Sequence, residues 1–407
     1  MDLNIKICES SECTACGACL QSCPASCIKM IEDENGFAYP QIDREKCLGC
    51  KKCVKVCPNN HKLAIGKSVF YMGWHRNIDV LKKSSSGGAF TAIADLILDQ
   101  GGVVFGASFD KNDRKVKHIA IENKSELDKV RLSKYYQGTT KDCFEKVKIC
   151  LKSRMVLFSG TACQIAGLYS YLATDYPNLI TVDVLCHGVA SHKVVDEYIV
   201  SKEKQYKKKI VDFTFRLKPN DSDWQSGGGT RMKLIFEDGT SSIESKEKDT
   251  YFVGFNNYLF LRESCYNCKY TGVERIADFT LADYWGVPFD EIEEQQRKYG
   301  VSLILANSEK AQKMMNSLEK DMVLKQIDSK NPVAHNQALE KPSTANQYRE
   351  EFFKELGTKD FDRLVHKYNR LYYAKVNVKE FLVKIIGEAA FNKIRIIIKR
   401  YLSNCRK

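Results

Sequence analysis

Cysteine is the residue type with most chemistry to offer. Ten of the 17 cysteines fall within the first 57 residues. Cys13, Cys16, Cys19 and Cys23 follow the spacing C-x2-C-x2-C-x3-C with Pro24 next, and Cys47, Cys50, Cys53 and Cys57 repeat it with Pro58 next. This is the run of bacterial two-cluster ferredoxins, in which three closely spaced thiolates wrap one cubane and the fourth reaches the other. The spacing therefore assigns Cys13, Cys16, Cys19 and Cys57 to one [4Fe–4S] cluster, and Cys47, Cys50, Cys53 and Cys23 to a second. Each proline stops a helix and turns the chain away from the cluster. Zinc ribbons pair two C-x2-C knuckles and lack the third cysteine and the C-P. Disulfides belong to oxidising compartments. The start MDLNIKICESSEC has no apolar core behind a basic segment, so it does not read as a secretory signal. The expected setting is cytoplasmic. Cys8 and Cys27 lie outside the spacing and receive no role, and neither do Cys143, Cys150 and Cys405.

A dispersed set of cysteines follows residue 150. Met155–Ser159 (MVLFS) reads as a strand, Gly160 as a turn and QIAGLYSYLA as a helix carrying Cys163 near its start. Leu179–Leu185 (LITVDVL) is a second buried-strand pattern, ending at Cys186-His187-Gly188. Neighbouring parallel strands would bring Cys163 and Cys186 together at their carboxyl ends, where α/β folds place ligands. Cys265 and Cys268 add a C-x2-C pair. Four thiolates suffice for a third cluster, but a lone C-x2-C also suits zinc or redox chemistry, and Cys163 also suits a buried core position.

Two further segments offer binding chemistry. Ser84-Ser85-Ser86-Gly87-Gly88 precedes AFTAIADLILDQ, an amphipathic helix start. Small residues with free N–H groups there suit a diphosphate; the alternative is a helix cap provided by Ser86. No G-x-G-x-x-G follows a strand and no G-x4-G-K-[ST] occurs, which disfavours a Rossmann nicotinamide site and NTP hydrolysis. Gly227-Gly228-Gly229 precedes a hairpin pattern, RMKLIFEDGTSS, with an Asp-Gly turn.

These motifs, in order, resemble the coenzyme F420 hydrogenase/dehydrogenase beta-subunit family. The resemblance rests on SSSGGAF at 84–90, RLSKYYQG at 131–138, GTACQIAGL, CHG, and SCYNCKY followed by ADFTLADYWG. It covers roughly residues 65 to 330, and the ferredoxin-like head is a common companion. Ala162 stands where the family usually has proline, and Ala282-Asp283-Tyr284-Trp285-Gly286 where it has Gly-Asp-Phe-Trp-Gly. The resemblance implies FAD beside a third [4Fe–4S] cluster held by Cys163, Cys186, Cys265 and Cys268. It also implies cofactor contacts from Ser86, Gly87, Gly88, Ser133, Lys134, Tyr135 and Gln137. Lys134 near the flavin's N1–C2 edge would stabilise the reduced anion. His187 is a candidate proton relay, with a core histidine as its bland alternative.

The implied protein is a ferredoxin- or F420-linked, flavin-dependent oxidoreductase. Its partners would be a ferredoxin-like redox protein and a small organic acceptor. The alternative is a non-catalytic electron-transfer beta subunit feeding a separate enzyme. The stretch 331–353 resembles members found beside capsule and exopolysaccharide genes, which adds a polysaccharide-pathway substrate to the candidates.

At 407 residues the chain exceeds what one hydrophobic core supports. The expected architecture is an α+β ferredoxin-like head over 1–66 and an α/β flavin-binding core, followed by a helical basic tail over 331–407. The core divides into beta-subunit N-terminal (67–150) and C-terminal (151–330) domains. No stretch approaches the roughly 18 apolar residues of a membrane span. Residues 361–407 hold 12 Lys/Arg against Asp362, Glu380 and Glu388, a net of +9 out of +12. Ile394, Ile397/Ile398 and Tyr401 recur at helical spacing among them, as in a basic amphipathic helix able to lie on the inner membrane face or dock an acidic partner; the alternative is a C-terminal helix packing its apolar face on the core with its lysines solvated. No recognition motif or aromatic stripe points to nucleic acid. Deleting 376–407 is expected to weaken co-sedimentation with anionic vesicles; full-length and truncated protein both staying in the supernatant would remove the membrane reading.

Overall fold

The computed structural model describes residues 5–218, 224 and 231–387. Gly227–Gly229 and the Ile394–Tyr401 repeat lie outside them, as does Cys405. In the head, Ile28–Glu32 (β1) and Ala38–Ile42 (β2) pair antiparallel, Ile28 opposite Ile42. The Asp33 carboxylate accepts from the N–H of Asn35 and Phe37, which closes the turn. Two one-turn helices, Ala18–Gln21 and Lys52–Lys55, complete the head.

The core strands are Val69–His75 (β3), Val103–Asp110 (β4), Lys115–Ile121 (β5), Gly138–Thr139 (β6), Val156–Thr161 (β7) and Leu179–Val184 (β8). Ile210–Leu217 (β9), Arg231–Phe236 (β10) and Ser241–Ser245 (β11) form a separate antiparallel sheet, with the expected hairpin between β10 and β11 turning at Gly239. Phe279–Asp283 (β12), Ser302–Ala306 (β13) and Met322–Gln326 (β14) return to the main sheet. Its order is β14-β3-β13-β12-β8-β7-β4-β5-β6. The central β12, β8, β7 and β4 run parallel, flanked by antiparallel pairs, so the core is a mixed α/β sheet. Residues 67–150 and 151–330 both supply strands to this sheet, and no structural division falls at 150.

Both faces of the sheet are covered, which explains the near-continuous apolar runs in β7 and β8. Alternation along β7 sends Leu157 to one face, against Ile93 and Ile97 of the helix Ala89–Asp99. Val156 and Phe158 point the other way, against Ile165 and Leu168 of the helix Ala162–Leu172. A second, aromatic core lies under β9–β11, where Tyr198, Tyr251, Phe252 and Phe260 meet Phe213 and Phe215.

Part of 331–407 belongs to this core and is not a tail. The helices Arg349–Glu355 and Phe361–Tyr368 bury Phe352, Phe361, Leu364 and Val365 in it. Phe37 of the head enters the same cluster, 5.8 Å from Phe353. Arg370–Ile386 has no buried residue and exposes Leu371, Val378, Phe381 and Ile385. Among the described residues no helix is long and apolar enough to cross a membrane.

The head also seats on the main sheet's helical layer. At Gly167, an added Cβ would stand 2.8 Å from Cys16 Cβ and 2.9 Å from its Sγ. Gly167→Ala is therefore expected to cost about 1–3 kcal/mol through overpacking and to lower iron retention. Denaturation of the anaerobically loaded protein checks this; a change under about 0.5 kcal/mol, the surface-substitution range, would show that the contact does not matter.

Candidate redox site

The two halves of the head are built alike. Each C-x2-C-x2-C run needs two left-handed residues to wrap a tight loop: Ala15 and Gly17 in the first (φ 55° and 84°), Gly49 and Lys51 in the second (φ 65° and 56°). A short helix then carries the third cysteine, Cys19 or Cys53. Cys13, Cys16, Cys19 and Cys57 line one hollow, and Cys23, Cys47, Cys50 and Cys53 line another, the crossed grouping that the spacing assigned. Among the described residues no three ligating groups converge tightly enough for a single ion; the thiols stand around spaces instead. Burial pushes the Cys16 thiol up to about 12, so iron must displace its proton on loading. Cys8 and Cys27, given no role by the spacing, line the two hollows as well, and Cys27 Sγ is 3.4 Å from Cys23 Sγ.

The dispersed cysteines also meet. Strands β7 and β8 are parallel with Thr161 opposite Val184, so Cys163 and Cys186 leave the sheet on the same side. Thr161 caps the helix Ala162–Leu172, and its N–H donates to Gln164 Oε1 at 3.0 Å. The Arg262 N–H donates to Val189 O at 2.9 Å, which lays the Cys265 turn against the strand end. Burial and then the neighbouring thiols Cys265, Cys163 and Cys268 push Cys186 well up. Burial, then Cys163, pushes Cys265 up to about 12 and Cys268 up to about 11. Four thiols thus share one site, and two of them, Cys163 and Cys186, face an internal space.

That space is a cavity of about 490 Å³. Cys163 and Cys186 stand in its wall together with Ser84, Ser85, Ser86, Gly88 and Ser133–Gln137. The two predicted binding segments touch, for the Ser133 N–H donates to Ser85 Oγ at 3.1 Å. Ser86 is not the helix cap. Its hydroxyl donates to Val301 O at 2.8 Å, and the capping position falls to Gly88 in the left-handed region, φ +88°. Gly87 is packed behind the wall, where a Cβ would lie 2.5 Å from Gly73 O. Lys134 Nζ donates to Ala107 O and Arg131 O, and burial brings its pKa down to about 7. Tyr135 Oη accepts from Arg216, and Gln137 Oε1 accepts from Arg262. His187 also lines the cavity, and burial lowers its pKa, so its imidazole is neutral at neutral pH.

Sequence reasoning missed Arg216, Lys218 and Arg262. Arg216 pairs with Asp283 at 2.9 Å and donates to Ser85 O; Lys218 donates to Ser86 O at 2.8 Å. Both come from the end of β9 and hold the Ser84–Gly88 loop from across the cavity. The available signal was a cation pair at i and i+2 closing an apolar strand, IVDFTFRLK. With Lys134 and Lys246 against Asp283, the wall is predominantly cationic and suits an anionic guest.

Residues 153–330 match the family model for the C terminus of the coenzyme F420 hydrogenase/dehydrogenase beta subunit. Residues 12–61 and 39–107 match models of the 4Fe-4S dicluster domain. An uncharacterized ferredoxin of Methanocaldococcus jannaschii is 39% identical over 54 residues, 13% of this chain and 69% of that protein. The VorC subunit of ketoisovalerate oxidoreductase from Methanothermobacter marburgensis is 32% identical over 56 residues, 13% and 71% respectively. A chain of the F420-reducing [NiFe] hydrogenase complex from Methanosarcina barkeri superposes with TM-score 0.44 at 13% identity, covering 78% of this chain and 94% of that one. The head is thus a [4Fe–4S] ferredoxin module, and residues 153–330 are a C-terminal domain of the coenzyme F420 hydrogenase/dehydrogenase beta-subunit family.

Proposed function

We propose that this protein is an iron–sulfur flavoprotein oxidoreductase linking ferredoxin-type carriers to an organic acceptor. In this reading Cys13, Cys16, Cys19 and Cys57 hold one head cluster, and Cys23, Cys47, Cys50 and Cys53 the other. Cys163, Cys186, Cys265 and Cys268 hold a third, beside FAD in the cavity. The observation that carries the reading is the shared wall: two of the dispersed thiols face the same space as the serine-rich loop and the Ser133–Gln137 segment. The donor sets fit, since each site offers four thiols and the cavity offers small residues, hydroxyls and buried cations. Flavin supplies the exchange between single electrons and hydride pairs.

The chain's own residues then have separable tasks. Ser85, Ser86 and Gly88 shape a loop for a diphosphate, fixed by Arg216 and Lys218. Lys134, held by two carbonyls, sets a cation that burial has made easy to deprotonate. His187 offers a neutral imidazole beside the cavity that would relay a proton to a bound acceptor as it takes up hydride. F420 or a polysaccharide-pathway compound is the acceptor class that the family resemblance brings. We place the protein in the cytoplasm, where unpaired cysteines stay reduced and free to take up iron.

The family model describes beta subunits, and this favours a second reading in which the chain feeds electrons to a separate enzyme. Oxidation of reduced ferredoxin by the isolated chain with an organic acceptor would exclude it.

Iron, sulfide and flavin stoichiometry on anaerobically purified protein tests the main reading. About twelve irons and one FAD are expected, falling towards about eight irons in Cys265→Ser. About eight in both, without flavin, would overturn it. Separately, Asp283→Asn strands the buried Arg216 charge and is expected to cost about 3–5 kcal/mol of stability, with lowered flavin content. Unchanged unfolding and flavin occupancy would show that this pair does not support the loop.

A further inference from the structure

The buried arginines of this protein are not treated alike. Arg275 pairs with Asp183 at 2.8 Å and Arg216 with Asp283 at 2.9 Å. Arg262 is 1% exposed, and its guanidinium donates only to neutral oxygens: Cys13 O at 2.7 Å, Gln137 Oε1 at 3.0 Å and Ala38 O at 3.1 Å. It also stacks 4.2 Å from the centre of the Tyr39 ring. Among the described residues no carboxylate forms an ion pair with it. An uncompensated buried cation is costly, so a counter-charge is needed close by.

The position of Arg262 says where that charge resides. Its side chain bonds the carbonyl of Cys13, in the first head set. Its own carbonyl accepts from the N–H of Cys265, in the dispersed set. Cys163 belongs to the same dispersed set, and its helix packs on Cys16 through Gly167. The guanidinium therefore stands at the seam between two thiol sets, and its charge favours the thiolates of Cys13, Cys163 and Cys265. The Cys23, Cys47, Cys50 and Cys53 set occupies the other hollow of the head. A [4Fe–4S] cluster on four thiolates is an anion and gains one further negative charge on reduction; net charge and hydrogen bonding set its potential.

We infer that Arg262 is a positioning residue that serves as the shared counter-cation of the Cys13/Cys16/Cys19/Cys57 and Cys163/Cys186/Cys265/Cys268 clusters, favouring the added electron on both over the remaining head cluster. This rests on the reading of the dispersed thiols as a cluster. It would give the head a direction: an electron arriving at the Cys23/Cys47/Cys50/Cys53 cluster would be drawn towards the cavity.

The test is an anaerobic redox titration of the full-length loaded protein, followed by electron paramagnetic resonance. Arg262→Gln is expected to disfavour reduction of two clusters at least tenfold, about 59 mV for a one-electron couple, leaving the third in place. Arg262→Lys keeps the charge and is expected to hold the potentials much closer to wild type. Gln137→Glu keeps the acceptor for Arg262 while adding the missing carboxylate, and is expected to lower the same two potentials. Potentials that stay put in fully loaded Arg262→Gln, or that shift equally in all three clusters, would overturn the inference. If Arg262→Gln does not fold, unchanged potentials in Gln137→Glu overturn it instead. A wild-type protein with only about eight irons would refute the dispersed cluster, while the Cys13 cluster's response would still decide the role of Arg262.

Discussion

The parallel register of β7 and β8 positions everything that follows. With Thr161 opposite Val184, the chain leaves both strands at one end of the sheet, and the residues just beyond are Cys163 and Cys186. Side chains alternate along a strand, so a slip of one residue would exchange the two faces. Leu157 would then meet the Phe158 side of the sheet, and neither helical layer would pack. Core packing thus fixes the placement of the two thiols. Their chemistry alone would not, since desolvation raises the pKa of both thiols, that of Cys186 well above its usual value.

Charge burial is the second organising cost. Arg216, Arg275 and Arg262 are each under a tenth exposed, and each spans segments distant in sequence. Arg216 ties β9 to β12 and to the loop before Ala89; Arg275 ties the end of β8 to Tyr270. A bidentate planar donor can hold such junctions where lysine would act only as a point charge. Of the three, Arg216 stands in the wall of the cavity, so a residue that closes the fold also contributes to its charge. Structure and binding chemistry share the same side chains.

The head combines a repeated local design with a non-local seat. Its left-handed Ala15 and Lys51 carry a conformational cost of roughly 1–2 kcal/mol each, which a bound cluster offsets. Phe37 and Gly167 then make the seat specific: one is an aromatic plug into the second core, the other a gap that admits Cys16. Close packing of the head on the helix that carries Cys163 brings the first head set and the dispersed thiols near one another.

The amino-acid sequence alone determined the head, because the ligand spacing of a cubane is local and a repeat of it has few other meanings. It also determined the strand and helix around Cys163 and the hairpin at Gly239, where periodicity and turn chemistry act over a few residues, although Gly160, read as a turn, is part of β7 and the helix begins directly after the strand. It left the loop at Ser84–Gly88 undecided between cap and binding loop, and the structure shows that Ser86 is not the cap. Tertiary structure alone decided that residues 67–150 and 151–330 share one sheet, since β3 enters it beside β13 and β14 from far along the chain. It also decided that Arg349–Tyr368 is core, that Cys8 and Cys27 reach the two cysteine-lined hollows, and that Arg216 and Lys218 reach the Ser84–Gly88 loop and Arg262 the head. The physical reason is common to all of these: a buried charge or thiol is defined by what surrounds it, and those partners lie tens to hundreds of residues away.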